Sequence, residues 1–381
     1  VLVTGATGFL GKEVLPLLRA LGHRRTGEAG AERESRVVGL SRKPPEHSGR
    51  QLSGVGPEQW VQADLTQWNG GLGSEALDAL TAERFDFLLH LAALYDLRAN
   101  EDESYLQNVT ATHTALTLAA RLGIPRFAFA SSVAVTLGDP ELRKLEASGE
   151  RYAPDRLRPE GEFPDHYGRD KARAEELVRS WAHPFEERLI LRLGVLCGNT
   201  RGDAPARIDG PYWAMEAFER LAPLLKSFPG RIPVVGRPAK SRLPLVPVDA
   251  AARAVVDLLL HHFENPAANA GAQSPGAPST TAYFLTPPGG GVGPEAFYGW
   301  LLEQVGAGKR ELLYLDRLPD WFQKLAMQWA SGIPSEELAY FLGLPACDDS
   351  ATRRILGPGW CPEFDDFKQN LWKGFRSFRT R

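Results

Sequence analysis

Tyr167 and Lys171 stand four residues apart in a stretch, 167–181, whose pattern predicts a helix, so the phenol and the ammonium share one face. A free tyrosine, with a pKa of about 10, is a poor acid at neutral pH. A neighbouring ammonium stabilises the phenolate, and the tyrosine can then pass a proton to an alkoxide forming on a substrate. On an arbitrary helix the same pair is only a solvated face. Ser132 follows the apolar run Phe127-Ala128-Phe129-Ala130, which places its hydroxyl at the carboxyl edge of a strand. There it can donate to a carbonyl oxygen that gains negative charge. A serine at that place equally serves to satisfy the strand end or cap the next turn.

Such a proton donor needs a source of hydride, and the chain opens with one of the signatures of a dinucleotide site. Val1-Leu2-Val3-Thr4 is an apolar strand running into Gly5, Gly8 and Gly11, after which residues 10–21 have a helical pattern. Gly5 suits backbone angles closed to other residues, Gly8 a close approach of main chain to a pyrophosphate, and Gly11 the packing of helix on strand. The helix N-terminus offers N–H groups to phosphates. The second strand ends Val37-Val38-Gly39-Leu40-Ser41-Arg42-Lys43, without the acidic residue that holds a ribose diol in NAD sites. Ser41 and Arg42, helped by Lys43, suit a 2′-phosphate, so NADP(H) is the expected cofactor.

The elements that must position these residues alternate. Strand-like runs lie at 1–4, 36–40, 59–63, 85–91, 126–131 and 188–193, with helical patterns at 10–21, 74–80, 103–122 and 167–181 between them. That order predicts an α/β fold, a Rossmann doubly wound parallel sheet. Residues 22–35 and 267–279 read as surface loops. Beyond Gly194 the pattern turns irregular, with a long amphipathic piece over 211–228, a strand end and helix at 247–261, and a further strand at 281–286. The expected division is a nucleotide-binding domain over 1–200, to which 243–262 returns, and a smaller, mostly C-terminal substrate-binding or lid domain of 201–242 and 263–381.

Composition narrows the partners. Across 381 residues, 44 basic and 47 acidic side chains leave a net charge of -3, which points away from nucleic acid or a charged membrane. Cys197, Cys347 and Cys361 are far apart in sequence and fit neither a disulfide framework nor a metal site, so a reducing cytoplasm is expected. No apolar run approaches the roughly 20 residues of a membrane span. The chain opens inside a strand without Met, consistent with a short missing leader.

Thr4-Gly5-Ala6-Thr7-Gly8-Phe9-Leu10-Gly11, Asp64-Leu65, His90-Leu91-Ala92-Ala93, Asn108-Val109, Ser131-Ser132, Tyr167 with Lys171, and Arg192-Leu193-Gly194 fall in the order found in extended short-chain dehydrogenase/reductases. Residues 1–262 resemble that family. The resemblance implies that Ser132 polarises the substrate carbonyl, Tyr167 donates the proton, Lys171 binds the nicotinamide ribose and tunes Tyr167, and Asn108 orders a water relay to Lys171. It further implies cofactor contacts at Thr7, Phe9 and Leu10, at Asp64, whose carboxylate meets the adenine amino group, and at Leu65, Leu91, Ala92, Ala93, Gly194 and Val195. Ala111 and Leu193 depart from the family's usual glycine and proline.

Residues 90–97, Ile208-Asp209-Gly210-Pro211-Tyr212, Val246-Pro247-Val248-Asp249, and the tail motifs at 348–352, 361–362 and 371–372 resemble more particularly the reductase domains of bacterial fatty acyl-CoA reductases and thioester reductases. This implies NADPH-dependent reduction of a CoA-bound or carrier-bound acyl thioester to the aldehyde, and on to the alcohol if a second hydride is allowed. Tyr95, Val133, Tyr212, Trp213 and Met215 are the expected substrate contacts. Phe218, Leu221 and Leu225 extend an acyl channel, and Arg201, Arg207, Lys240 and Arg242 are candidates for the phosphates of the acyl carrier. A simple ketone or aldehyde reductase would use the same four catalytic residues, whereas a non-catalytic NADP-binding sensor commonly lacks the Tyr/Lys pair. A homodimer is compatible with the family.

Overall fold

The structure, a computed structural model, describes residues 1–24, 36–43, 60–96, 99–183, 185–205, 208–237, 242–265, 279–315, 340 and 344–380. Arg207, Lys240, Leu97 and most of the two expected loops, 22–35 and 267–279, lie outside the described residues. In chain order the strands are β1 (Leu2–Thr4), β2 (Val38–Ser41), β3 (Trp60–Gln62), β4 (Phe87–His90), β5 (Arg126–Ser132), β6 (Glu187–Leu193), β7 (Val195–Cys197), β8 (Ile232–Val235), β9 (Leu245–Pro247), β10 (Ser279–Leu285) and β11 (Leu312–Leu315). The helices are α1 (Gly11–Arg24), α2 (Ser74–Ala82), α3 (Glu101–Tyr105), α4 (Ala111–Arg121), α5 (Leu142–Ser148), α6 (His166–Ser180), α7 (Pro211–Ser227), α8 (Val248–Glu264), α9 (Pro294–Gln304), α10 (Ser350–Leu356) and α11 (Phe364–Arg379).

Seven strands form one sheet in the order β10-β6-β5-β4-β1-β2-β3, and each neighbouring pair is parallel. Both faces are buried, as parallel sheets require. Leu2, Leu88, Phe127 and Phe129 pack into the layer that contains α2, α4 and α6, whereas Val3, Leu89, Ala128 and Ala130 pack into that of α1 and α8. The two-residue period of the strand thus sorts adjacent residues into opposite cores. Chain direction across the sheet reverses between β1 and β4, and the crevice beyond their carboxyl ends is where such sheets bind ligands.

A third apolar cluster joins α7, α9 and α11 to the parallel pair β8 and β11, with Tyr212, Met215, Phe297, Leu301, Leu371 and Phe375 at its centre. Two features differ from the sequence-based reading. Residues 263–381 do not belong wholly to the smaller unit: Ser279–Leu285 extends the large sheet, pairing residue for residue with Glu187–Leu193. Burial of Tyr283, Phe284 and Leu285 against the large core drives this return. The helix expected over 103–122 also contains a π turn at Leu106–Thr110, where the Ala111 N–H reaches the Leu106 carbonyl. No described helix is long and apolar enough to cross a membrane, and among the described residues no group of His, Cys, Asp and Glu could hold a metal ion.

Candidate active site

A cleft of about 1310 Å³ opens along the carboxyl ends of the central strands. Drug-sized ligands occupy pockets of roughly 300–1,000 Å³, so this one has room for a dinucleotide and a second molecule beside it. Its floor includes the glycine turn with Thr7, Phe9 and Leu10. Gly5 has a φ of +67°, and a Cβ there would sit 2.5 Å from the Ala92 nitrogen, so the turn and the loop after β4 meet backbone to backbone. A Cβ on Gly11 would lie 2.4 Å from the Gly5 carbonyl oxygen, which explains why α1 can start directly against the turn. A turn packed this closely, with glycine at 5, 8 and 11, suits the pyrophosphate of a dinucleotide.

Ser41, Arg42, Lys43, Asp64 and Leu65 line the cleft beyond the turn. The Ser41 hydroxyl donates to the Lys43 carbonyl at 3.1 Å and stands 3.4 Å from Thr7 Oγ1, while Arg42 and Lys43 are exposed. Asp64 accepts from the Thr66 N–H and hydroxyl at 3.0 and 2.7 Å. Partial burial works against its ionisation, but these bonds and the Arg42 charge hold the carboxyl below its ordinary value. It is therefore an ionised acceptor on the cleft lining.

The cleft is also lined by Ser132, Val133, Tyr167 and Lys171 together with Leu91, Ala92, Ala93, Tyr95, Gly194 and Val195. Asp165 caps α6 by accepting from the Gly168 N–H at 2.7 Å, which sets Tyr167 in the first turn. The Tyr95 ring meets Tyr167 edge to face at 4.8 Å. Lys171, one turn on, is 2% exposed; its Nζ donates to the Ala130 carbonyl at 2.5 Å and lies 4.1 Å from the Phe129 ring centre. Burial lowers its pKa from 10.5 to about 7, with the Glu175 carboxylate opposing the shift. Glu175 is itself buried, accepting from Ser131, Arg179 and Arg192.

Ser132 both caps the turn that follows β5 and lines the cleft. Its oxygen accepts the Ala134 N–H at 3.1 Å, capping a short 3₁₀ turn. Because the cap uses a lone pair, the hydroxyl hydrogen remains available to a substrate. Asn108 does not line the cleft. Its side chain is 1% exposed and clamps Leu94, accepting from that N–H at 3.0 Å and donating to that carbonyl at 3.1 Å.

The expected acyl channel along α7 is not formed as drawn. Of its residues only Tyr212 reaches the cleft; Met215, Leu221 and Leu225 are core of the smaller cluster, with Phe218 packed against it, and Trp213 is half-buried away from the cleft lining. The apolar face of α7 had a nearer partner in α9 and α11 than any ligand. Arg201 and Arg242 also lie off the described lining: Arg201 pairs with Glu13 at 2.8 Å and Asp203 at 3.2 Å, and Arg242 packs beside Gly293. Tyr340 and Phe378 line the cleft from the far end of the chain, and so do Asn199 and Asp203. The Asn199 side chain accepts from the Arg201 and Asp203 N–H groups, a turn that the run Asn-Thr-Arg-Gly-Asp announces. No local signal marks Tyr340 or Phe378.

Residues 3–255 match the model of an NAD-binding family described as Male sterility protein. The terminal R domain of the myxalamid PKS-NRPS biosynthetic pathway superposes with a TM-score of 0.66 at 25% identity, over 99% of this chain and 89% of that one. DesIV, a dTDP-glucose 4,6-dehydratase from Streptomyces venezuelae with NAD and TYD bound, gives 0.59 at 19% identity, over 100% and 97%. MoeE5 in complex with UDP-glucuronic acid and NAD gives 0.57 at 18%, over 100% and 98%. The last two likenesses concern the fold alone. No curated protein sequence matches the chain.

Proposed function

The chain belongs to the male sterility protein family of NAD-binding domains and is built as an extended short-chain dehydrogenase/reductase; from that premise we propose that it reduces an acyl thioester to an aldehyde with NADPH. The observation that carries this reading is that Ser132, Tyr167 and Lys171 line the same cleft as the glycine turn. Bound NADPH would supply hydride to the thioester carbonyl carbon. The turn from Gly5 to Gly11 holds the pyrophosphate, Ser41, Arg42 and Lys43 meet the 2′-phosphate, and Asp64 accepts from the adenine amino group. Leu65, Leu91, Ala92, Ala93, Gly194 and Val195 line the remainder of the cofactor path.

As the carbonyl oxygen gains charge, Ser132 donates its free hydrogen and Tyr167 passes its phenolic proton, giving a neutral hemithioacetal. Lys171 keeps an ammonium near that phenol only while protonated, so its own depressed pKa ties activity to neutral or lower pH. Collapse of the hemithioacetal breaks the C–S bond, moves the hydroxyl proton to the departing sulfur and leaves aldehyde and free thiol. Tyr95, Val133 and Tyr212 border the acyl end. The likeness to a PKS-NRPS terminal R domain supports a carrier-bound acyl group over free coenzyme A.

A panel of acyl-CoAs, carrier-bound acyl groups and matching aldehydes, scored separately for NADPH loss and thiol release, tests the proposal. One thiol per NADPH supports it; NADPH loss with aldehydes or ketones and never with thioesters makes the protein a carbonyl reductase. Tyr167→Phe should lower kcat by roughly 10²–10⁴ with NADPH still bound.

A further inference from the structure

Beneath the loop at 91–95, which lines the cleft, four hydrogen bonds, three of them buried, join β1, β4 and α4 end to end. The Ala92 N–H donates to Thr4 Oγ1 at 3.3 Å, Thr4 Oγ1 lies 2.7 Å from His90 Nδ1, His90 Nε2 lies 3.1 Å from Thr112 Oγ1, and the Thr112 hydroxyl donates to the Asn108 carbonyl at 2.6 Å. Thr4, His90, Thr112 and Asn108 are each 1% exposed or less.

The chemistry of the two ends leaves one direction for the whole chain. A hydroxyl 2.6 Å from a carbonyl must place its hydrogen between the oxygens, since the carbonyl has none. Thr112 therefore turns only lone pairs toward His90, and Nε2 must carry a hydrogen. A neutral imidazole has one donor and one acceptor, so Nδ1 accepts the Thr4 hydroxyl hydrogen, and the Thr4 lone pairs receive Ala92. The other neutral tautomer would set the Nε2 lone pair against those of Thr112. Burial, reinforced by the Lys171 charge, pulls the His90 pKa from 6.5 to about 3, which removes the imidazolium as well.

We propose that His90, locked as the neutral Nε2–H tautomer, is a positioning residue that fixes the loop at 91–95 against the dinucleotide. Its chain grips the loop twice: Thr4 holds Ala92 at one end, and Asn108, the other terminus, clamps both backbone groups of Leu94. Tyr95, which follows, packs on Tyr167. Asn108 lies within the π turn and presents its carbonyl to Thr112 and its amide to Leu94.

The inference rests on the cleft as a dinucleotide site and not on the choice of a thioester as substrate. Ring-¹⁵N-histidine NMR of the full chain, without ligand, is the direct test, with the His90 signals identified as those that shift in Thr112→Ser. The expected result is an Nε2–H ring that does not titrate between about pH 5 and 8; an Nδ1–H ring or an imidazolium in that range overturns the proposal. Thr112→Val should abolish the Nε2–H preference and raise the Kd for NADPH roughly threefold to tenfold, with Thr112→Ser restoring both. Equal NADPH affinity in the valine and serine variants would remove the link between the tautomer and the cofactor. Because no acyl substrate is present in either arm, failure of the thioester reading leaves the outcome unchanged.

Discussion

On the β1 and β4 side of the cleft the buried polar groups are uncharged and joined end to end, whereas on the β5 and β6 side Glu175 gathers Ser131, Arg179 and Arg192 around one carboxylate. Glu175 and Arg192 are both fully buried. The neutral chain avoids the cost of burying ions and gains a direction, which a loop can be hung from. The charged cluster has no direction, but each ion in it depends on the others, because a buried charge left alone is far more costly than the pair is favourable. Ser132 and Lys171 are placed by the charged side, and Ala92, Leu94 and Tyr95 by the neutral side.

Breaking the charged side should have the largest effect. Glu175→Ala strands Arg192 and should destabilise the fold by about 3–5 kcal/mol in urea unfolding, against about 1 kcal/mol if the cluster behaved like the neutral chain. The two regions should also separate by pH. The unfolded His90 ring binds a proton below 6.5 and the folded ring only near 3, so its contribution to stability falls as pH drops through that interval. Glu175, whose burial is overcome by Arg192 and its other partners so that its pKa is lowered, contributes stability present above 4.5 and lost as pH falls through the folded value. Urea midpoints of His90→Gln should therefore lose the decline that begins near pH 6.5 and keep the one that begins near 4.5. Lys171 acts with the same sign on the alkaline side: its pKa is lowered, so stability rises from about pH 7 to 10.5, and Lys171→Met should abolish that rise.

A smaller loss is expected on the neutral side. Thr4→Val leaves the Ala92 N–H and one His90 nitrogen unpaired and should cost about 1–3 kcal/mol by the same unfolding assay. Smallest of all, Lys368→Ala removes a pair to Asp365, a carboxylate 80% exposed. A change within about 1 kcal/mol there would establish that burial, and not charge alone, sets the scale on the β5 and β6 side.

What could be read from the sequence follows the same division between local and distant causes. The glycine turn, the Ser41 strand end and the Tyr167 and Lys171 spacing are short-range patterns, and the structure brings them to one cleft. The apolar stripe of α7 was visible, but whether it faces a ligand or a core depends on α9 and α11, some 80 to 160 residues later. Arg201 was legible as a base and not as the partner of Glu13, 188 positions earlier. Helical periodicity over 103–122 conceals a single widened turn, because one extra residue barely disturbs an apolar pattern. The strand expected at 281–286, observed at Ser279–Leu285, was recognisable as a strand, but its neighbour in the sheet was not.

That last strand has a consequence for how the protein is made. β6 is buried along its whole length and its outer edge is paired by β10, yet Leu285 leaves the ribosome 92 residues after Leu193. Throughout that interval the nascent Rossmann layer carries a seven-residue unpaired strand edge, with Leu189, Ile190, Leu191 and Leu193 among its residues, the kind that joins other chains. Synthesis through the intervening segment is therefore the period in which a chaperone has most to protect, and slowing translation there should favour aggregation over yield.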